Sequence, residues 1–401
     1  EEPGSLPGGE TGGAGRERGR GSSMKVLVVA GETSGDAHAA RVVRHLHELH
    51  PGIRIDAMGG DAMARAGAHL LHHHRDYAFL GLWEVLRHLS RFRALEADLR
   101  GYLESERPDV FVPVDYPGLN LRLARHAHGL GIRVLYFIGP QVWAWGARRL
   151  RRMRDLVDRV SLILPFEPQL YREAGVPAEY VGHPLLEEMD SRSGPAPPRE
   201  GNLIALLPGS RVQEVERLLP LQLEAARRLR RDFPDLRFEV GAAPLLDLSV
   251  VSDHLALHPD LDVSIAAGTA DLLARARVAV VASGTATLES ALRGTPMVVV
   301  YRTSWPTFLA GRLLVRIPWI GLVNIVAGEP LAPELVQGRA RPAGVHREVA
   351  RLLRDETEWD RRSRHLAALR ERLSGGGGTR RVAESILEIA PGPSPRAAEG
   401  V

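Results

Sequence analysis

Short runs in which every position is apolar alternate along this chain with longer runs in which apolar residues recur every three or four positions. The first is Met24-Lys-Val-Leu-Val-Val-Ala30, followed by the small-residue turn Gly31-Glu-Thr-Ser-Gly-Asp36 and a helical run to about His50. Ile53–Asp56, Val110–Val114, Val134–Phe137 and Ser161–Leu164 repeat the strand pattern, with helical patterns such as Leu89–Glu104 and Leu119–Gly129 between them. A strand that is apolar throughout is buried on both faces, which predicts a parallel sheet covered by helices. After the polar, proline-rich segment Ser191–Gly201 the pattern restarts at Leu203–Leu207, Arg237–Val240, Asp262–Ile265, Val278–Val281 and Pro296–Tyr301. The expectation is an α/β chain of two Rossmann-like, doubly wound domains, 24–190 and 202–374, joined by a linker at 191–201 and facing a central cleft. Ser374-Gly-Gly-Gly-Gly378 reads as a hinge-like break, and Thr379 as the cap of a last helix to about Ile389 that packs back on the first domain. Residues 1–23 and 391–401 have no apolar run and read as a disordered leader and tail.

Composition narrows the classes. With 44% hydrophobic and 25% charged residues the chain reads as soluble and globular, and without cysteine it holds neither disulfides nor thiolate ligands. Bases outnumber acids only 52 to 49, and no nucleic-acid module is visible, so no nucleic-acid partner is expected. The most apolar stretch, Phe308–Gly328, is broken by Arg312, Arg316 and Pro318, so no membrane span is expected. Phe79–Leu86, with Arg87, Arg91 and Arg93 beyond it, is a basic amphipathic pattern suited to an anionic membrane face; a core-facing helix gives the same pattern.

Ligands of doubly wound sheets bind outside the carboxyl ends of the strands, so the loops that follow strands hold the candidate chemistry. After Val278–Val281 comes Ser283-Gly-Thr-Ala-Thr-Leu-Glu289. Gly284 lets a ligand approach the backbone, Ser283 and Thr285 add hydroxyls, and a helix start offers free N–H groups to an anion. Glu289 is placed to accept ribose hydroxyls, so the loop suits a nucleoside diphosphate; plain α/β connectivity gives the same pattern. Arg211, in Leu206-Leu-Pro-Gly-Ser-Arg211, can fork onto a diphosphate or simply pair with Glu214 three residues on. Asp115, after Val110–Val114, is fixed by Pro117 and Gly118 and can take a proton from an attacking hydroxyl, or serve as a turn residue. Glu32 and Asp36 lie beside two glycines in a loop that favours substrate over capping. Trp143 and Trp145 suit stacking on a sugar or covering an acyl chain, with core packing as the alternative. Arg148, Arg149, Arg151, Arg152 and Arg154 can meet phosphates, or form a solvated helix face. His183 is a lesser candidate near the cleft, and His72-His73-His74 lacks the spacing of a metal site.

Six of these segments occur in one order: Gly31–Asp36, Val114–Asn120, Pro140–Trp145, Gly182–Leu185, Leu207–Arg211 and Ser283–Glu289. Together they resemble the lipid-A-disaccharide synthase family of glycosyltransferases over about Met24–Ile389. The resemblance implies a GT-B fold with the active site between two Rossmann-like domains. It implies inverting transfer of 2,3-diacylglucosamine from its UDP-activated form to 2,3-diacylglucosamine 1-phosphate, with neither metal nor cofactor. It makes Asp115 the general base and Arg211 the diphosphate ligand. Ser283, Gly284, Thr285 and Thr287 line the UDP loop, Glu289 contacts the ribose, and Asn324 lies near the donor. Glu32, Asp36, Trp143, Trp145 and His183 fall on the acceptor and lipid side. Leu119 departs from the family pattern, standing where an aromatic is expected. A cytoplasmic, peripheral place on the inner face of the inner membrane and a homodimer with exchanged C-terminal segments are further implications. A 2-epimerase, a peptidoglycan N-acetylglucosaminyltransferase and a non-catalytic UDP-sugar or lipid carrier are the rival readings.

Overall fold

The computed structural model describes residues 24–77, 89–141, 150, 153–191, 197–243, 246–305, 308–309 and 318–391. Its frame is two parallel sheets. The first holds β1 (Lys25–Ala30), β2 (Arg54–Gly59), β3 (His69–His73), β4 (Val110–Val114), β5 (Arg133–Phe137), β6 (Arg159–Leu162) and β7 (Ala178–Tyr180), in the order β3-β2-β1-β4-β5-β6-β7. The second holds β8 (Glu200–Leu207), β9 (Arg237–Val240), β10 (Val263–Ile265), β11 (Ala276–Ala282), β12 (Met297–Tyr301) and β13 (Glu334–Val336), in the order β10-β9-β8-β11-β12-β13.

The central strands are apolar throughout because helices cover both faces. In β1, Val26, Val28 and Ala30 pack with helix Thr33–Leu49, while Leu27 and Val29 pack with Leu95, Leu99 and Leu103 of helix Leu89–Glu106. That leucine spacing puts three side chains on one stripe, each contributing roughly 1.5–3 kcal/mol on full burial. In β8, Ile204 and Leu206 face one layer, while Leu203, Ala205 and Leu207 face the other. The latter layer also takes in Leu164, Leu185 and Leu186, so an apolar seam joins the two units. Among the described residues no helix is long and apolar enough to cross a membrane.

Three strands went unread in the sequence: β3, β7 and β13 are short and at or near sheet edges, where one-sided burial leaves no apolar run. The linker is also shorter than 191–201, because β8 begins at Glu200, whose carboxylate pairs with Arg275 and Arg237. The chain returns to the first sheet through Gly375–Gly378, all four with positive φ. A Cβ on Gly376 would lie 2.5–2.7 Å from backbone atoms of Tyr180, Val181 and Gly182, so only glycine threads this passage. Helix Gly378–Ile389 then packs Val382, Ala383 and Ile386 against the first sheet. Thr379 is not its cap. It sits in the first turn, where its N–H and its hydroxyl (2.7 Å) donate to the Glu187 carboxylate.

Each sheet has one point at which its strand order reverses. In the first it lies between β1 and β4, in the second between β8 and β11. Such points open a crevice at the carboxyl edge.

Candidate active site

At the first reversal Ala30 pairs with Val114, so the loops after β1 and β4 leave the sheet side by side. A Cβ on Gly31 would fall 2.6 Å from the Tyr116 ring, which is why a glycine stands there. Asp115 and Tyr116 both adopt left-handed backbone, φ 45° and 48°. Two consecutive non-glycine residues in this region cost of order 1–3 kcal/mol each and must be held in place. The Asp115 N–H donates to the Phe137 carbonyl (3.0 Å), and its carbonyl accepts from Asn120 Nδ2 and the Tyr136 hydroxyl, both at 2.7 Å. Asn120 Nδ2 also reaches the carbonyls of Val29 (3.3 Å) and Val114 (3.2 Å), tying the ends of β1 and β4 together. Pro117 opens helix Pro117–Gly129 directly afterwards, with its φ already helical. Leu119, where an aromatic was expected, is a core residue packed with this helix layer.

Burial, and then the negative charge of Glu32, push the Asp115 carboxyl up to about 6, against a smaller opposing effect from the Tyr116 N–H. A carboxylate with that value is a competent proton acceptor near neutral pH. Glu32 is exposed at the N-cap of helix Thr33–Leu49, yet its side chain makes no capping bond. Asp36 behaves differently and corrects the expectation of a second substrate-facing acid. It is 4% exposed and accepts from the N–H groups of Gly60 (2.7 Å), Ala62 (3.0 Å) and Met63 (3.2 Å), which caps helix Asp61–Arg65.

At the second reversal Leu207 pairs with Val281, bringing Pro208–Arg211 beside Ser283–Thr285. Gly209 has φ +123°, and a Cβ there would lie 2.4 Å from the Glu214 carboxylate. That carboxylate accepts from the N–H groups of Ser210 (2.9 Å) and Arg211 (3.3 Å). Arg211 also makes the ordinary i,i+3 ion pair with Glu214 at 3.8 Å, its side chain 58% exposed. Such a pair contributes only about 0.2–0.5 kcal/mol, less than a bidentate bond to a diphosphate. Ser283 donates to the Ile320 carbonyl (2.7 Å), Gly284 has open space on its Cβ side, and Thr285 is exposed at the start of helix Thr285–Leu292.

Other candidates hold structure. Thr287 is fully buried, donating to the Gly284 carbonyl (2.8 Å) and accepting from the Val323 N–H (3.4 Å). Glu289 pairs with Arg293 at 3.4 Å. Asn324 is fully buried, exchanging bonds with Ala332 (2.8 and 2.9 Å) and donating to Glu334 (2.9 Å). Glu334 also accepts from the N–H groups of Ile320 (3.0 Å) and Gly321 (2.9 Å) and so fixes the segment against which Ser283 rests. Burial lowers His183 to about 4; its neutral Nδ1 accepts from the Leu185 N–H (3.2 Å) and caps helix Pro184–Asp190. Trp143, Trp145, Arg148, Arg149, Arg151, Arg152 and Phe79–Arg87 lie outside the described residues. The positioning roles of Asn120, Tyr136 and Glu334 were not read from the sequence, which flagged only the turn around Asp115.

Solved structures with this architecture include a UDP-GlcNAc 2-epimerase from Neisseria meningitidis. Its TM-score is 0.61 at 14% identity, covering 91% of this chain and all of that one. A glycotransferase of kitacinnamycin gives 0.62 at 17%, covering 92% and 100%. At such identities the likeness establishes the twin-domain fold alone. Sequence relatives carry further. The lipid-A-disaccharide synthase of Syntrophus aciditrophicus is 42% identical over 92% of this chain and 98% of its own length. That of Anaeromyxobacter dehalogenans strain 2CP-1 is 42% identical over 91% and 97%. The lipid-A-disaccharide synthetase family profile matches residues 26–389, which takes in both reversal points and the returning helix. Likeness to these synthases at 42% identity over nearly the whole chain, set against remote likeness to the epimerases, decides among the readings left open by the sequence: this chain belongs to the lipid-A-disaccharide synthase family and is a glycosyltransferase.

Proposed function

We propose that the chain transfers 2,3-diacylglucosamine from UDP-2,3-diacylglucosamine to the 6-hydroxyl of 2,3-diacylglucosamine 1-phosphate. Asp115 accepts the proton of that hydroxyl as its oxygen attacks the anomeric carbon. The bond from that carbon to the UDP oxygen breaks, and its electron pair leaves on the diphosphate. A single displacement inverts the anomeric centre, so the products are the β-1,6-linked disaccharide 1-phosphate and UDP. Arg211 and the N–H groups of Gly284 and Thr285 receive the charge on the leaving group, the Ser283 N–H being taken by the Val300 carbonyl (3.2 Å). Glu289, held by Arg293, contacts the ribose, while Thr287 and Asn324 set the loop's shape.

One observation carries the reading: the Asp115 carboxyl stands at a reversal point, on a strained and clamped backbone, pushed up to about 6. A residue that only turned the chain would gain nothing from a costly buried charge beside Glu32. Glu32 faces the acceptor side. The enzyme works at the cytoplasmic face of the inner membrane, held peripherally, and pairs as a homodimer. Incubation with the two glucosamine lipids, followed by mass spectrometry, tests the reaction. Disaccharide 1-phosphate and UDP in equal amounts are expected, and UDP release without disaccharide would contradict it.

A further inference from the structure

The loop after β12 and the loop after β13 form a groove of about 310 Å³ that neither catalytic loop uses, lined by Arg302, Thr303, Ser304, Trp305, Gln337, Gly338 and Arg341. It lies at the carboxyl edge of the second sheet, one strand beyond the Ser283 loop, since β11 pairs with β12 and β12 with β13. The groove is built rather than incidental. Gln337 is 5% exposed and has a left-handed backbone, φ 50°. Its side-chain oxygen accepts from the Thr303 N–H (2.8 Å), and its nitrogen donates to the Thr303 carbonyl (3.0 Å). That reciprocal pair fixes the Arg302–Ser304 segment against the neighbouring loop.

Its chemistry is that of an anion site with an apolar lip. Arg302 and Arg341 are exposed, and no described residue forms an ion pair with either, whereas Arg275, Arg277 and Arg237 of the same domain are all paired. None of the seven lining residues is acidic. A contiguous groove of about 620 Å³ shares Arg302, Thr303 and Ser304 and adds Arg217, which is also unpaired among the described residues. The two acids of that larger groove stand on helix Val212–Asp232: Glu224 is engaged by Arg227 and Arg228, and the exposed Glu216 adjoins Arg217, leaving Arg302 and Arg341 as the cations of the smaller groove. At the lip, Trp305 is 68% and Leu309 59% exposed, with Phe308 edge-on to the Trp305 ring at 6.0 Å. Tryptophan and leucine left in water beside unpaired arginines match an interface where phosphate headgroups meet acyl chains.

We infer that this face of the second domain docks on an anionic bilayer, with Arg302 and Arg341 taking lipid phosphates and Trp305 and Leu309 entering the acyl boundary. The patch is separate in sequence from the amphipathic stretch before Arg87. Charge complementarity selects the occupant: an apolar protein partner would leave two arginines unmatched. The inference rests on the proposed function only in that lipid substrates bring the enzyme to a membrane. Vesicle binding is read without turnover, so the two can fail separately.

The test is co-sedimentation with vesicles of phosphatidylcholine alone and with 30% phosphatidylglycerol. Arg302→Gln/Arg341→Gln should lower binding to the anionic vesicles roughly tenfold to thirtyfold, and leave the weak binding to neutral vesicles unchanged. Trp305→Ser/Leu309→Ser should weaken binding to both. Turnover of detergent-dispersed substrates by each variant should match the parent, which also shows that the variants fold. Unchanged anionic-vesicle binding by the arginine variant would overturn the inference. So would full competition by inorganic phosphate at constant ionic strength, which would make the groove a site for the free anion.

Discussion

In the proposed reaction, ionisation of Asp115 acts on rate and stability in opposite senses. As a base it must be deprotonated, so kcat/KM should rise with pH through about 6. Because Glu32 raises that value, Glu32→Gln should move the acidic limb of the profile to lower pH. A pH–rate series on the two proteins reads this directly, and an unmoved limb would remove Glu32 from the account. For stability, the folded carboxyl titrates above its ordinary value of 3.8. The stability of the protonated form is therefore complete below about 4 and lost as pH rises through about 6. Asp115→Asn should be more stable than the parent at pH 8, by about 1–3 kcal/mol, with the gain vanishing near pH 4; thermal melts at the two pH values check it. The sequence marked both Glu32 and Asp36 in one loop but could not separate them. Which of the two is consumed as a cap depends on the N–H groups of Gly60–Met63, some two dozen residues away.

Elements position that carboxyl through backbone clamps. Asn120→Ala removes the amide that ties Val29, Val114 and Asp115 together, with its three hydrogen bonds to buried carbonyls, and should cost about 1–3 kcal/mol in urea unfolding. Its kcat should fall while affinity for UDP, which binds the other domain in this account, holds. Gly376→Ala drives a Cβ into the Tyr180–Gly182 backbone. It should free helix Gly378–Ile389 and make it an early site of limited proteolysis; a parent-like digestion pattern would show that the thread has slack. At this scale the buried strands were legible because two covered faces force an unbroken apolar run. Edge strands such as Ala178–Tyr180 were not, and neither were helix starts whose caps come from afar, as Glu187 serves Thr379.

At the scale of the molecule, both sheets reverse their order where a loop pair holds the candidate site residues. The first offers a carboxylate with an acidic neighbour; the second offers an arginine, small residues and a helix start. The proposed division into a proton-accepting half and a leaving-group half is drawn from the motifs, since strand-following loops announce themselves by glycine and proline. The structural duties of the motif residues were not legible there: Thr287, Asn324 and His183 bond to backbone two to eight residues away, holding loops and helix starts. The division makes a sharp claim: chemistry and UDP binding are separable. It is tested most directly by comparing parent and Asp115→Asn for turnover of the two glucosamine lipids at pH 8 and for UDP affinity by calorimetry. Turnover by Asp115→Asn should fall roughly 10²–10⁴-fold with UDP affinity unchanged. Turnover within a few-fold of the parent would contradict it.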